Sequence, residues 1–253
     1  MTTVAPALAC PCGGTREQTP RVDEWRCDDC GAVTDGVIVT AGVARPTFEA
    51  TAMHLYPSIS APQRAACRLG QGLPPPPGDA LCRVGPARDL APLAWSAIYE
   101  RLLGRAWGDD LLTPRAVVVF VAGVRSGKSL WLSLKSIYDA LTASTDGLLP
   151  GERLYIPIIA PLKDNAKQIL SYVQGFTALE SVRGDTEDPT AEEVRFGRGV
   201  TIAVKSANRG GLGVRSVWLA GLALDEAAYF FTATDHVVTD RAIVKAAAPR
   251  IRP

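Results

Sequence analysis

The sequence predicts an α/β fold in which a mostly parallel sheet is flanked by helices, preceded by a small cysteine-rich module. Three observations support this prediction. From about residue 93, short apolar segments alternate with segments of helical periodicity. A Val-rich run at Val117–Ala122 leads into a loop that ends Gly-Lys-Ser. Four of the six cysteines lie within residues 1–45, apart from both of these features.

The composition excludes several classes of protein. The net charge is +1 and apolar residues make up 47% of the chain, so any contact with nucleic acid must use local basic patches. The longest apolar run, Ala116–Val124, is far too short to span a membrane. The first residues lack the basic and apolar regions of a secretion signal. We therefore expect a soluble cytoplasmic protein whose cysteines are thiols or metal ligands.

The cysteine-rich module, predicted at residues 1–45, contains two cysteine pairs that are each followed by glycine. The pairs are Cys10-Pro-Cys12 and Cys27-Asp-Asp-Cys30. Four thiolates bind Zn²⁺ tetrahedrally, and glycine after each pair permits the tight turn of a zinc ribbon. The first pair is one residue shorter than the usual spacing, so reduced thiols are the alternative. Because a module of this size buries little apolar surface, zinc would be its main source of stability.

The next segment, residues 46–92, is predicted to be a Pro-rich linker. Its four successive prolines, Pro74–Pro77, favour an extended and semi-rigid conformation. We interpret Cys67 and Cys82 as thiols outside the zinc site, and His54 as a loop residue rather than a metal ligand.

Residues 93–253 are predicted to form the main domain, with each element identified from its periodicity. The first helix has an apolar stripe formed by Leu93, Ile98, Leu102 and Leu103. Pro157 marks its strand as imperfect or close to a sheet edge. The other predicted elements are strand 117–122, helix 129–143, strand 154–160, helix 164–175, a hairpin of 193–196 with 200–205, strand 220–224 and helix 235–247.

The loop after the first strand matches the phosphate-binding Walker A pattern. It reads Ala122-Gly123-Val124-Arg125-Ser126-Gly127-Lys128-Ser129, with alanine in place of the usual first glycine. Gly127 permits close approach of the backbone to ATP, Lys128 is predicted to reach the β- and γ-phosphate oxygens, and the Ser129 hydroxyl to bind Mg²⁺. A chance Gly-Lys-Ser turn is the alternative. The flanking strand and helix favour the phosphate-binding interpretation, because they are the context that such a loop requires.

A second motif supplies the carboxylates that a phosphate-binding loop needs. The apolar segment Ala220–Leu224 ends in Asp225-Glu226, which is the Walker B arrangement. Asp225 at the end of the strand can bind the same Mg²⁺, and Glu226 can orient or deprotonate the attacking water. Taken alone, this pair would be an ordinary surface Asp-Glu. Taken with the loop, it predicts an ATPase.

The two motifs together resemble the ATPase domain of phage terminase large subunits, which are P-loop motors of the ASCE, RecA-like class. The resemblance covers about residues 93–253 and is most specific in VRSVWLAGLALDEAAYF, residues 214–230. Terminases often have an arginine ten residues before the Walker B aspartate, as Arg215 is here, and then Asp-Glu-Ala-Ala and an aromatic residue. An arginine within the phosphate loop, here Arg125, is also common. Residues 158–170 resemble the family's second strand and the helix after it.

This resemblance implies an ATP-hydrolysing motor that drives double-stranded DNA into a viral capsid, and hence a location in the host-cell cytoplasm. It also implies a homo-oligomeric ring, sequence-independent DNA binding, and contacts with a portal and a small terminase subunit. Arg215, or secondly Arg209, would reach the γ-phosphate from a neighbouring subunit, and a solvated loop arginine is the alternative for each. Arg125 could instead sense nucleotide or pair with Glu226. Ser216 departs from the glycine that is usual in the family.

The family's coupling motif and nuclease domain are not found in this sequence, so we expect no nuclease activity from it. Two other functions stay open. A helicase or other nucleic-acid-dependent ATPase also has Asp-Glu after an apolar strand, although the run here is Asp-Glu-Ala-Ala. The other is a non-catalytic zinc-ribbon binding protein with a truncated ATPase remnant. The basic residues that could contact DNA phosphates are scattered, and solvated surface is the simpler interpretation of each: Lys163, Lys167, Arg183, Arg195 and Arg198.

Overall fold

The computed structural model describes residues 16–18, 24–27, 33–35, 37–40, 43–76, 81–82, 93–112, 118–119, 121, 126–205, 214, 216–230 and 240–251. They form an α/β structure in which a mixed sheet is flanked by helices. The chain divides into two compact units, Met1–Phe120 and Val121–Pro253. The boundaries predicted from the sequence, after residues 45 and 92, both fall within the first unit.

The first unit contains short antiparallel strands. They are β1 (Arg16–Gln18), β2 (Glu24–Cys27), β3 (Val33–Asp35), β4 (Val37–Thr40), β5 (Val43–Pro46), β6 (Leu81–Cys82) and β7 (Leu93–Ala94). β2 lies between β1 and β3 in a three-stranded sheet, β4 pairs with β5, and β6 pairs with β7. The range predicted for the cysteine-rich module therefore contains a small antiparallel sheet.

The helices of the first unit are α1 (Phe48–Leu55), α2 (Ala61–Gly70) and α3 (Trp95–Leu103), and α2 packs against the other two. α1 and α2 lie in the range predicted to be a linker, so the structure differs from that prediction here. Local capping accounts for them. The Thr47 hydroxyl accepts a hydrogen bond from the Ala50 N–H at 3.1 Å, and Ser60 with Gln63 forms a capping box. Pro62 is compatible with α2 because it lies in the first turn.

A buried ion pair connects α1 with α2. Arg68 Nη1 lies 2.8 Å from Glu49 Oε2, and the two side chains are 3% and 7% exposed. Arg68 Nη2 also donates to the Pro74 carbonyl at 2.8 Å, and its Nε donates to the Tyr99 hydroxyl of α3 at 3.2 Å. The Arg64 guanidinium bonds the other carboxylate oxygen of Glu49. Because both buried charges are paired, this network stabilises one arrangement of the three helices.

The second unit is built on one mixed sheet. Its strands are β8 (Leu154–Ile159), β9 (Glu193–Phe196), β10 (Val200–Val204), β11 (Trp218–Leu219) and β12 (Ala223–Leu224). β8 is central, with β10 parallel to it on one side and both β11 and β12 parallel to it on the other. β9 pairs antiparallel with β10 and forms the predicted hairpin.

Pro157 explains an interruption in this sheet. Along β8 the backbone groups alternate sides, since the Leu154 N–H donates towards β10 and the Tyr155 carbonyl accepts from Ala220. Pro157 therefore faces the side of β11 and β12 but has no N–H to donate. The pairing on that side stops after Tyr155 and resumes at Ile158. The strand is imperfect, as predicted, although it is central rather than at an edge.

Helices flank this sheet. They are α4 (Lys128–Thr142), α5 (Lys163–Thr177), α6 (Glu180–Arg183) and α7 (Asp240–Ala247). α4 and α5 contact each other and the strands β8 and β10. α7 places Ile243 and Ala247 in a buried cluster with Leu219 of β11. All five residues of β10 are buried, which requires packing on both of its sides because successive side chains alternate.

The residues after α7 return to the sheet. A short 3-10 turn, Ala248–Arg250, leads to Ile251, which forms a parallel bridge with Leu219. Ile251 thus lies beside β11, on the side away from β8. Every helix within the described ranges is too short or too polar to cross a membrane.

Candidate functional site

The start of α4 forms one half of the candidate site. Gly127 precedes the helix in the left-handed conformation, with φ 80° and ψ 24°, and its carbonyl accepts the Trp131 N–H at 2.9 Å. Lys128 and Ser129 are the first two residues of the helix. The first turn of a helix presents backbone N–H groups and a partial positive charge, which favour a bound phosphate. The described part of the loop, Ser126–Ser129, therefore leads into a helix start of the kind that can bind phosphate.

The strand predicted to lead into this loop is not formed by the described residues. Val118, Val119 and Val121 have no regular secondary structure and are 40%, 81% and 95% exposed. A strand needs a neighbour to pair its N–H and C=O groups, and apolar composition alone cannot identify that neighbour. The prediction of a buried strand is wrong for these three residues. The remaining loop residues lie outside the described ranges: Ala122, Gly123, Val124 and Arg125.

Asp225 forms the other half of the site and contacts the first half directly. Its N–H donates to the Ile159 carbonyl at 3.0 Å, which places Asp225 at the carboxyl end of β8. The residue is 9% exposed. The Ser129 hydroxyl donates to Asp225 Oδ2 at 3.2 Å, across 96 positions of sequence. The fold thus brings the serine of the predicted Walker A loop into contact with the aspartate of the predicted Walker B motif.

The backbone of Glu226 is unusual. Its φ of 50° and ψ of 39° lie in the left-handed region, and it is the one described non-glycine residue with positive φ. Its N–H donates to Asp225 Oδ1 at 3.0 Å, and its carbonyl accepts the Tyr229 N–H at 2.8 Å in the next turn. Adjacent residues on a straight strand point to opposite faces. The left-handed turn ends that alternation at Glu226 and leaves its side chain exposed.

Asn165 is a residue of this site that sequence reasoning did not single out. Its Nδ2 donates to Glu226 Oε2 at 2.8 Å. Asn165 lies in the first turn of α5, which follows β8, and β8 ends beside Asp225. The available signal was its position: a polar residue shortly after a strand, at the edge of the sheet where the carboxyl ends of parallel strands meet.

A close approach between α4 and the strand segment sets the spacing of the two halves. Gly221 lies between β11 and β12, and a Cβ placed on it would be 3.1 Å from Asp139 Oδ2 of α4. Burial raises the pKa of the Asp139 carboxyl, while the Lys135 ammonium, 2.5 Å from Asp139 Oδ1, opposes that rise. A glycine at position 221 therefore allows α4, with Lys128 and Ser129 at its start, to lie against the strand that leads to Asp225.

The basic residues with predicted roles in catalysis or DNA contact differ in their surroundings. The two arginines proposed to act from a neighbouring subunit, Arg209 and Arg215, lie outside the described residues. Lys163 forms an ion pair with Glu192, and Lys163, Lys167 and Lys205 all lower the pKa of Glu192. The others are exposed; Arg195 pairs with Glu193, Arg198 donates to the Leu141 carbonyl, and Arg183 lies in α6.

The zinc site stays a prediction. Cys10, Cys12 and Cys30 lie outside the described residues, and Cys27 is the last residue of β2. Among the residues that the structure does describe, no group of three or more His, Cys, Asp or Glu is placed to hold a metal ion. Cys67 is buried in α2 and is not disulfide-bonded.

Comparison of this chain with protein-family models, with curated proteins and with solved structures found no match. The chemistry of the site therefore follows from its own residues. Those residues are a helix start that favours phosphate, a hydroxyl–carboxylate pair and an adjacent exposed carboxylate.

Proposed function

We propose that this chain is the ATP-hydrolysing motor domain of a terminase-like large subunit, which moves double-stranded DNA into a viral capsid. One observation carries the ATPase part of the proposal. The Ser129 hydroxyl lies 3.2 Å from Asp225 Oδ2 although the residues are 96 positions apart. A chance Gly-Lys-Ser turn has no reason to meet a carboxylate that follows a distant strand. An ATP–magnesium site requires such a meeting.

Each residue of the site has a role in this proposal. Gly127 and the first turn of α4 bind the phosphates through backbone N–H groups, and Lys128 contacts the β- and γ-phosphate oxygens. Glu226 orients the attacking water and accepts its proton. Its exposed position beside Asp225 supports this role, because the base must reach water next to the nucleotide.

The hydroxyl and carboxylate also suit a magnesium ion. Mg²⁺ prefers oxygen ligands and is usually held by one or two protein groups together with phosphates and waters. Ser129 Oγ and Asp225 Oδ2 are a pair of such oxygens at the N-terminus of α4. When bound, the ion would neutralise charge on the phosphates. Ser129 and Asp225 are the residues that would hold it.

The topology supports a P-loop fold of the ASCE class. The strand segments β11 and β12 lead to Asp225 and lie parallel to β8, and Ile251 forms a parallel bridge to β11 after α7.

The DNA-translocating part of the proposal rests on the resemblance in residues 214–230. It includes a homo-oligomeric ring, a trans-acting arginine at position 215 or 209, and contacts with portal and small terminase subunits. It also includes a location in the host-cell cytoplasm.

A second candidate function is nucleotide binding without turnover. The exposure of Val118, Val119 and Val121 favours it, because these residues precede the loop and do not form the strand that would hold it in place. A loop without that support could bind ATP without aligning it for hydrolysis.

ATP binding and turnover by the full chain, with and without double-stranded DNA, test both candidates. We expect Mg²⁺-dependent hydrolysis that DNA stimulates. Lys128→Ala should abolish it, and Glu226→Gln should retain binding but lose turnover by about 10²–10⁴-fold. Lys245→Ala, an exposed lysine of α7, is the matched control and should behave as wild type. Binding with no turnover under any condition would favour the second candidate. The absence of both binding and turnover would refute both.

A further inference from the structure

The Glu226 carboxylate is held by a side chain from a different element. Asn165 Nδ2 donates to Glu226 Oε2 at 2.8 Å, across 61 positions of sequence. An amide has two N–H donors on its nitrogen and holds a carboxylate oxygen in a defined direction. The bond occupies Oε2 and so distinguishes the two oxygens of this carboxylate.

Both partners of this bond are rigidly supported. The Asn165 N–H donates to the Leu162 carbonyl at 3.1 Å, and the adjacent Ala166 is fully buried, so the start of α5 is anchored in the core. On the other side, Glu226 follows Asp225, whose N–H bonds the carbonyl that ends β8. Ile159 is the last residue of the central strand. Asn165 follows it shortly in the chain, and Glu226 directly follows the residue that bonds its carbonyl.

The backbone of Glu226 adds a second constraint. A glutamate in the left-handed conformation, with φ 50°, is held against its intrinsic preference. Such strain persists only where the surrounding structure fixes the residue. Two hydrogen bonds fix Glu226. Its backbone N–H donates to Asp225 Oδ1, and its carboxylate Oε2 accepts from Asn165.

We propose that Asn165 is a positioning residue, which aligns the Glu226 carboxylate so that its second oxygen orients the attacking water. This inference rests on the proposed ATPase function and adds a residue to it. Asn165 acts through Glu226 and does not itself contact nucleotide. Misplacing a catalytic group by about 1 Å can lower a rate by about 10²-fold. The loss of Asn165 should therefore reduce kcat and leave the KM for ATP nearly unchanged.

The test uses steady-state and single-turnover hydrolysis by the full chain with Mg²⁺ and double-stranded DNA. Asn165→Ala removes the amide, and Asn165→Asp keeps its shape but replaces the donor with a like charge. Asn165→Gln restores an amide. Gln168→Ala removes an exposed amide from the same helix and is the matched control. Asn165→Ala combined with Glu226→Ala shows whether the effect of Asn165 depends on the glutamate.

We expect Asn165→Ala and Asn165→Asp to lower kcat by about ten- to a hundredfold with KM changed by less than about twofold. Asn165→Gln should recover much of the rate, and Gln168→Ala should match wild type. In the Glu226→Ala background, removing Asn165 should change nothing further.

Wild-type kcat in both Asn165→Ala and Asn165→Asp would overturn the inference and leave the proposed ATPase intact. An equal loss with and without Glu226 would also overturn it, because Asn165 would then act on the fold or on binding. If wild type binds ATP but never turns it over, the proposed hydrolytic function falls and this inference falls with it.

Discussion

Gly127 allows a direct test of the proposed phosphate site. It precedes α4 in the left-handed conformation, with φ 80°. This conformation costs an L-residue with a side chain about 1–2 kcal/mol. Gly147, in the turn between α4 and β8, has φ 73° and no atom within 4 Å of the place its Cβ would occupy. Alanine at either position should therefore carry about the same backbone penalty. Each variant should lower the melting temperature by roughly 2–8 °C, as measured by thermal denaturation.

The two variants should differ in nucleotide binding, because only Gly127 lies at the proposed site. We expect Gly127→Ala to weaken binding of a fluorescent ATP analogue by at least about tenfold, or about 1.4 kcal/mol. Gly147→Ala should stay within about twofold of wild type. Equal losses of affinity in the two variants, or wild-type affinity in Gly127→Ala, would refute the reasoning.

Four further predictions concern stability. Glu49→Ala should destabilise the first unit by about 3–5 kcal/mol in denaturant unfolding, because it leaves a buried arginine without its carboxylate. Gly175→Ala should stabilise by about 0.5–1 kcal/mol, since the residue lies inside α5 with open space around the added Cβ. Gly221→Ala should destabilise by about 1–3 kcal/mol, because its Cβ would lie 3.1 Å from a carboxylate oxygen of α4. A hydrogen bond from Lys163 is the largest of the effects that lower the pKa of Glu192. The stabilisation from Glu192 should be present at neutral pH and lost as pH falls through that lowered pKa.

Each of these predictions has a control or a contrary result. Glu100→Ala replaces an exposed glutamate of α3 and should stay within about 0.5 kcal/mol of wild type. A similarly small effect of Glu49→Ala would mean that the buried pair is not needed. Destabilisation by Gly175→Ala, or none by Gly221→Ala, would contradict the packing at those glycines. For Glu192→Gln, the difference in stability from wild type should shrink at low pH, and a constant difference would argue against the assigned pKa.

Elements with strong local signals were predictable from the sequence. α4 and α5 have apolar residues at helical spacing, and their structural bounds lie within two residues of the predicted ones. The hairpin of β9 and β10 follows from an alternating segment, Glu193–Phe196, and a largely apolar one, Val200–Val204, on either side of Gly197 and Gly199. Gly199 has φ 90°. In each case the information lies within a few neighbouring residues, so no knowledge of distant contacts is needed.

Features that depend on distant partners were not predictable in the same way. The Val-rich run at 118–121 has strand composition but no paired neighbour among the described residues. The prolines of residues 46–92 predict a linker, whereas two helices form there, and Thr47 and Ser60 are the local signals for their N-termini. The contact between Asn165 and Glu226 depends on how β8 pairs with β12. Sequence spacing alone does not specify that pairing.

The left-handed backbone of Glu226 has a consequence for protein engineering. Glycine or asparagine would adopt φ 50° and ψ 39° with less strain than glutamate. For glycine, the backbone energy at this position would be lower by about 1 kcal/mol. A selection for thermal stability alone should therefore favour replacing this residue, whereas a selection for ATP turnover should retain it. Position 226 is where we expect the stability and the proposed ATPase activity of this protein to be in opposition.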